Sequence, residues 1–162
     1  MRNIKLTHNI SLINKRFKKN QFYHYLKVPD ISIVVPKINN KFIIIRQKRE
    51  PINKKNYEFP SGNIEINESA SQSANKELLE ETGYKSKKKL KKILTFYTEP
   101  GRLTSKIYSY FSNSLIKIHK PERGIEIKIV SKEQLINLIK KGDFNNSSHI
   151  TVFFSYLLKN NF

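Results

Sequence analysis

Cysteine is absent from the 162 residues, so the chain can use neither disulfides nor thiolate-bound metal, which is compatible with a reducing cytoplasm. Long apolar runs are missing as well. The longest are Ile31–Val35, interrupted by Ser32, and Phe42–Ile45, far short of the roughly 20 residues that cross a bilayer, so no membrane partner is expected. The opening Met1-Arg2-Asn3-Ile4-Lys5-Leu6 alternates polar and apolar and lacks the apolar core of a secretory signal, which adds to the expectation of a soluble, cytoplasmic protein. No low-complexity tract, internal repeat, P-loop or serine in a nucleophile elbow is found, which disfavours hydrolysis through an enzyme-bound nucleophile. His8, His24, His119 and His149 show no metal-ligand spacing and read as structural or exposed.

Acidic residues are scarce: 13 stand against 31 lysines and arginines, leaving a net charge of +18 and a pI near 10. Such a field attracts nucleic acid and anionic substrates alike. The basic residues are nevertheless spread through a chain rich in Lys, Asn and Ile, and a compositional origin is the simpler account. The densest stretch, Lys85 to Lys92, has six lysines in eight residues and reads as a solvated turn that complements the end of a preceding helix.

Against that background, the segment Gly62–Tyr84 gathers carboxylates. Ser69 followed by Gln72 has the spacing of a capping box, which starts a helix at about Ala70. Ala70, Ala74 and Leu78 then recur every four residues as an apolar stripe suited to packing on a sheet, and Gly83 stands where a left-handed C-terminal residue is needed. Glu77, Glu80 and Glu81 share one side of this helix. Like charges three and four residues apart repel and weaken a helix, so their presence predicts a bound cation, most simply a divalent metal carrying a phosphate. Magnesium suits such a site because it is hard, prefers oxygen ligands, and is commonly held by one or two carboxylates together with substrate phosphates. Mn²⁺ is the alternative ion.

This stretch resembles the signature of the Nudix hydrolases. Gly62, Glu68, Glu77, Leu78, Glu80, Glu81, Gly83 and Tyr84 match it, and Lys76 stands where the family has arginine. Lysine keeps the charge and gives up the planar fork, which predicts looser orientation of Glu68 or Glu80. The flanks are similar to a narrower group, the ADP-ribose pyrophosphatases and related nucleoside diphosphate sugar hydrolases. Ile43–Arg49 and Tyr57–Gly62 resemble that group's strand and its approach to the motif, and Phe96–Gly101 with Lys106–Tyr108 resembles its Pro-Gly loop and following strand. The resemblance implies Glu77 and Glu81 as main metal ligands, the carbonyl of Ser61 as a third, and Glu80 as a further ligand or an orienting group with a catalytic part. It also points to a general base in a late loop, where Glu122 is the candidate and Glu126 lies behind it. Arg49, at a strand end, is suited to clamp a phosphate bidentately. Arg46 can share that role, Glu58 can accept a hydrogen bond from nucleotide or ribose, and Gly101 lets its loop approach a ligand.

A coarse pass predicts strands at 3–13, 22–28, 31–35 and 41–46, the last two turning at Asn39-Asn40, and further strands at 93–97, 106–111 and 125–130. Helices are predicted from Ala70, from Ser131 to Lys141 (Ser131 and Gln134 forming a second capping box, Gly142 the stop), and from about Ser148 to Lys159. Mixed strands with helices on both faces make an α/β class, an α/β/α sandwich, which is also the Nudix fold. Residues 1–28 are then an N-terminal strand extension and 29–162 the Nudix hydrolase domain. By the same resemblance, the extension, with its aromatic Phe22-Tyr23-His24-Tyr25, serves homodimerisation.

The resulting expectation is an enzyme, a magnesium-dependent hydrolase of nucleoside diphosphate sugars that turns ADP-ribose into AMP and ribose 5-phosphate. Two alternatives stay open. One is pyrophosphohydrolysis of RNA 5′ ends or dinucleoside polyphosphates; the other is a basic Nudix-like nucleic-acid-binding module without catalysis.

Overall fold

The computed structural model describes residues 2–160. The chain opens with three antiparallel strands, β1 (Arg2–Lys5), β2 (Ser11–Lys18) and β3 (Gln21–Lys27), which form a sheet of their own. β4 (Ile31–Ile38) and β5 (Lys41–Arg49) follow as a hairpin whose turn residues Asn39 and Asn40 have φ of 47° and 61°, values that asparagine tolerates better than most residues. Then come β6 (Lys54–Glu58), β7 (Ser61–Asn63), helix α1 (Ala70–Thr82), β8 (Tyr84–Ser86), β9 (Lys91–Tyr97), β10 (Lys106–Ser112), β11 (Leu115–Lys117), β12 (Glu126–Val130), α2 (Lys132–Lys140) and α3 (Ser147–Lys159).

The main sheet runs β12-β5-β4-β10-β9, with β6 beside β5 and β7 beside β4. It is mixed: β4 and β10 are parallel, and the other pairings are antiparallel. Side chains alternate across a strand, and the alternation in β4 sorts the two cores. Val34 joins Ala74, Leu78, Leu90 and Tyr110 under α1. Ile33 and Val35 face the other way, into a larger core with Phe42, Phe59, Phe111, Leu135, Phe153 and Tyr156 from the side of α2 and α3. The expected α/β/α sandwich is therefore the observed architecture. Among the described residues, no helix is long and apolar enough to cross a membrane.

Both predicted capping boxes form, Ser69 with Gln72 and Ser131 with Gln134, and each opens its helix one residue after the serine. The strand predictions need correction at the N-terminus. The expected strand at 3–13 is broken after Lys5, because the N–H groups of Leu6 and Thr7 donate to the Ile10 carbonyl (2.9 and 3.1 Å) and the Thr7 hydroxyl accepts from Ile10 N–H (3.1 Å). The short polar side chain stabilises a turn that the alternation of residue types conceals. β2 instead continues to Lys18, and β6, β7, β8 and β11, each of three to five residues, went unread. Strands this short carry too few alternations to announce themselves. The lysine-rich 85–92 is also more than a turn, since Lys85 belongs to β8, and Lys91 and Lys92 to β9.

Two loops carry the consequences for the site. β3 lies along the loop after β9: Leu26 N–H donates to the Arg102 carbonyl (2.8 Å), Thr104 N–H returns to the Leu26 carbonyl (3.1 Å), and the Tyr23 hydroxyl donates to the Gly101 carbonyl. Gly101 is thus engaged by the N-terminal sheet. The segment after β11 is folded against the end of α1, with Ile118 N–H on the Gly83 carbonyl (2.8 Å) and Glu122 N–H on the Glu80 carbonyl (3.0 Å). Gly83 has φ of 68°, and a Cβ there would lie 2.0 Å from the His119 carbonyl oxygen. Gly83→Ala is therefore expected to cost at least about 2 kcal/mol, read as a lowered urea midpoint, because left-handed strain and a backbone clash act together.

Candidate active site

Helix α1 is capped at both ends and rests on β4, where the Ser32 hydroxyl donates to the Ser73 hydroxyl (2.9 Å). The face that buries Ala74 and Leu78 also turns Glu81 inward, leaving it 7% exposed. Its Oε2 accepts the Ser61 N–H (2.8 Å) and its Oε1 accepts from Gln47 Nε2 (3.2 Å). Glu77, one turn earlier, is half-buried and packs on Gly62 so closely that a Cβ there would lie 2.0 Å from its Oε1. Glycine at 62 leaves the Glu77 carboxylate in this position, where a Cβ would push it aside.

The electrostatics of this pair are unfavourable. Burial, the largest influence, pushes Glu81 up to about 8 against the opposing Ser61 N–H, and the charge of Glu77 pushes it the same way, while Arg49 and Gln47 pull it down. Burial likewise pushes Glu77 up to about 7, helped by the charges of Glu80, Glu122 and Glu68 and opposed by Lys76. Among the described residues, neither Glu77 nor Glu81 forms a salt bridge, and no three His, Asp or Glu side chains converge as a ready-made metal cluster. The donor set still fits a hard divalent cation: two crowded carboxylate oxygen donors, without a cationic side chain bonded to them, are what such an ion relieves. Ser61 lies against Glu81 through its N–H.

The other named residues divide into those the fold brings to this corner and those it does not. Glu80 is partly exposed beside Glu77, and its carbonyl holds the Glu122 N–H, which sets the exposed Glu122 side chain close enough to bear on Glu77. Lys76 pairs with Glu65 (2.9 Å) and has no ion pair with Glu68 or Glu80; Glu68 accepts the Glu65 N–H (3.3 Å). Arg49 grips Glu58 bidentately, Nε to Oε1 at 3.0 Å and Nη2 to Oε2. Glu58 is 1% exposed, also receives Asn56 Nδ2 (3.3 Å), and is held below the usual carboxylate range by these bonds against its burial. In this structure Glu58 is engaged by Arg49 and Asn56, an arrangement suited to aiming Arg49.

Arg46 is similarly occupied: its guanidinium lies over the Tyr57 ring (5.3 Å) and pairs with Glu126 at 3.7 Å. Glu126 also binds Lys55, which holds its carboxyl below the ordinary range, in a surface ion-pair group on β12. A cleft of about 310 Å³ is lined by Arg49, Ser61, Gly62, Asn63, Ile107 and His149; Glu77 and Glu81 are not among its lining residues and adjoin it through Gly62 and Ser61. Gly101 is not among its lining residues. A larger depression of about 360 Å³, lined by Lys37, Lys91 and four asparagines among others, lies at the other end of β4 and has no carboxylate.

Gln47, Asn56 and His149 complete the site and were missed in the sequence. Gln47 was within reach, because it stands two residues before Arg49 on the same strand and shares its face. His149 was not, since its partner Phe59 is 90 residues away.

Comparison with known proteins gives a consistent result. The NUDIX domain model matches residues 27–151. The chain is 29% identical over 115 residues to an ADP-ribose pyrophosphatase of Bacillus subtilis (strain 168), covering 68% of this chain and 62% of that protein. It is 31% identical over 87 residues to a methanol dehydrogenase activator of Bacillus methanolicus, covering 54% of this chain and 46% of that protein. The matched stretches thus span less than two thirds of these relatives' lengths. A solved structure described as an ADP compounds hydrolase superposes with a TM-score of 0.81 at 17% identity, covering 99% of this chain and 92% of that one, a likeness of fold.

The raised carboxyls give a pH signature. Groups that hold their protons more tightly when folded stabilise the fold at low pH, and that contribution is lost as pH rises from the ordinary Glu value of 4.5 through about 8. In chelator-treated protein, Tm is expected to fall over that window, and Glu81→Gln is expected to flatten the fall. A wild-type Tm that climbs with pH across the same range contradicts this.

Proposed function

Because the chain belongs to the NUDIX domain family, whose model covers residues 27–151, we propose that it is a magnesium-dependent pyrophosphohydrolase of nucleoside diphosphate sugars that converts ADP-ribose to AMP and ribose 5-phosphate. The observation that carries this reading is the pair Glu77 and Glu81, two crowded carboxylates with no ion pair of their own, touching Gly62 and Ser61, which line a cleft that also presents Arg49. Glu77, Glu81 and the Ser61 carbonyl, with Glu80 beside them, would hold Mg²⁺, which would supply neutralisation of phosphate charge and acidification of a water, as Mn²⁺ would also do.

The chain's own groups have separable parts. Glu122 takes a proton from the attacking water; its tether to the Glu80 carbonyl supports this assignment, since it keeps the loop over the carboxylates. The water oxygen bonds to one phosphorus as the bridging P–O bond breaks, giving the two monophosphates. Arg49, aimed by Glu58, binds phosphate oxygens in the cleft and draws charge away from the breaking bond. Ser61 N–H and Gln47 fix Glu81 in one orientation, which lowers the reorganisation needed for each turnover. The name of the Bacillus subtilis relative supports the substrate class.

A homodimer through the N-terminal sheet is part of the same proposal. Phe17 and Phe22 are 69% and 57% exposed there, large apolar side chains that a second copy would cover. The net charge of +18 favours RNA 5′ ends as the competing substrate, and nucleic acid as a competing partner.

Turnover of ADP-ribose, GDP-mannose, diadenosine polyphosphates and 5′-triphosphate RNA, compared in one panel with Mg²⁺, tests the reading: ADP-ribose is expected to lead, and a wide preference for RNA overturns it. Glu81→Gln is expected to cut kcat by about 100-fold or more with the circular dichroism spectrum intact, because it removes a charged ligand and little packing. Near-normal turnover in that variant removes the metal role assigned to Glu81.

A further inference from the structure

His149 lies in the first turn of α3, 3% exposed, where burial disfavours the imidazolium and pushes the group down to about 4. A helix N-terminus is also a poor place for a cation. The ring is therefore neutral under ordinary conditions, and its hydrogen bonds decide which nitrogen carries the proton. Nδ1 accepts the Phe59 N–H (3.0 Å), so the proton sits on Nε2, which faces Glu58 Oε2 at 3.8 Å. Two aromatic rings fix the imidazole plane: Phe59 stacks on it with centroids 6.4 Å apart at 21°, and Phe144 meets it edge-on at 6.3 Å and 79°.

Each edge of this ring leads to a different half of the site. Phe59 is followed by Pro60, which has no N–H and a restricted backbone, and then by Ser61, whose N–H holds Glu81. Glu58 is the bidentate partner of Arg49. We propose that His149 is a positioning residue that sets both halves together, holding the Phe59-Pro60-Ser61 segment against Glu81 through the hydrogen bond to Nδ1 and steadying the Glu58–Arg49 pair through the electrostatic contact of Nε2–H with Glu58 Oε2, which at 3.8 Å is longer than a hydrogen bond. This rests on the hydrolase reading above for its effect on turnover, though not for its structural part. The assignment gives α3 a role in the chemistry, since one side chain from it ties the phosphate-binding arginine to the carboxylate corner.

Two substitutions separate the edges. Asparagine puts an amide oxygen near the place of Nδ1 and leaves nothing at Nε2; glutamine reaches the place of Nε2 and loses the acceptor at Nδ1. His149→Asn is expected to keep the Phe59 amide protected from hydrogen exchange in chelator-treated protein and to raise KM for ADP-ribose about tenfold with kcat within about twofold. His149→Gln is expected to speed Phe59 amide exchange at least about tenfold and to lower kcat about tenfold, since Ser61 then drifts from Glu81. Equal Phe59 protection in both variants, or the same change of KM and kcat in both, overturns the proposal. In the wild type, two-bond ¹⁵N–¹H spectra are expected to show Nδ1 as the unprotonated nitrogen, and a protonated Nδ1 overturns it even where a variant fails to fold. Absence of ADP-ribose turnover by the wild type counts against the hydrolase reading alone, because the exchange and tautomer measurements do not depend on it.

Discussion

Two carboxylates withdrawn from water without a bonded cationic partner are the constraint around which this protein is arranged. Ionising Glu77 and Glu81 together is opposed by burial and by their mutual repulsion, and the neutral donors Ser61 N–H and Gln47 offset only part of that. A fold keeps such a pair at the expense of stability, and a cation bound there returns the loss. That is the same condition catalysis of phosphoryl transfer sets, since the charge that would repel a phosphate becomes the charge that fixes its counter-ion. The features nearby follow from the constraint. A side chain at Gly62 would displace the Glu77 carboxylate, which occupies the space of its Cβ, and Gly83 ends α1 because its φ is positive and the His119 backbone lies where a Cβ would be.

The cationic side of the site is built by a different rule. Arg49 is partly exposed, yet its carboxylate partner is buried, so the guanidinium is oriented by a group that water cannot compete for. A bidentate pair of this kind holds an arginine within a narrow range of directions. Asn56 and His149 complete the shell around Glu58 without adding a second positive charge, since the histidine is kept neutral by its burial. Arg46, earlier on the same strand, lies over Tyr57 and pairs with Glu126 at 3.7 Å. Charge in this protein is thus sorted by packing. Glu68, Glu80 and Glu122 bear on Glu77, Glu77 bears on Glu81, and Glu65 pairs with Lys76 around α1, in a chain where acids are outnumbered 31 to 13.

Much of the fold was legible because its signals are local. Capping boxes four residues long located the starts of α1 and α2, and the asparagine pair at 39–40 marked the β4–β5 turn. The short strands β6, β7, β8 and β11 escaped because each exists through its neighbour: β7, for example, is three residues paired with Ile31–Ile33 of β4. Site residues followed the same division. Glu77, Glu80 and Glu81 declared themselves by spacing on one helix, whereas the pairing of Glu58 with Arg49 and of Arg46 with Glu126 came into view only with the fold.

By itself the sequence determined the helix that carries the carboxylates, its caps, the glycines that admit close contacts, and the family to which that pattern belongs, because each of these depends on residues within one or two turns of one another. Only the tertiary structure decided which charges pair, which stay open to a ligand, and how His149 joins α3 to Phe59 across 90 residues. The reason is the dielectric environment. Spacing sets which side chains share a face, but burial sets whether a carboxylate there is ionised, paired or in want of a cation, and burial is a property of elements brought together from distant parts of the chain.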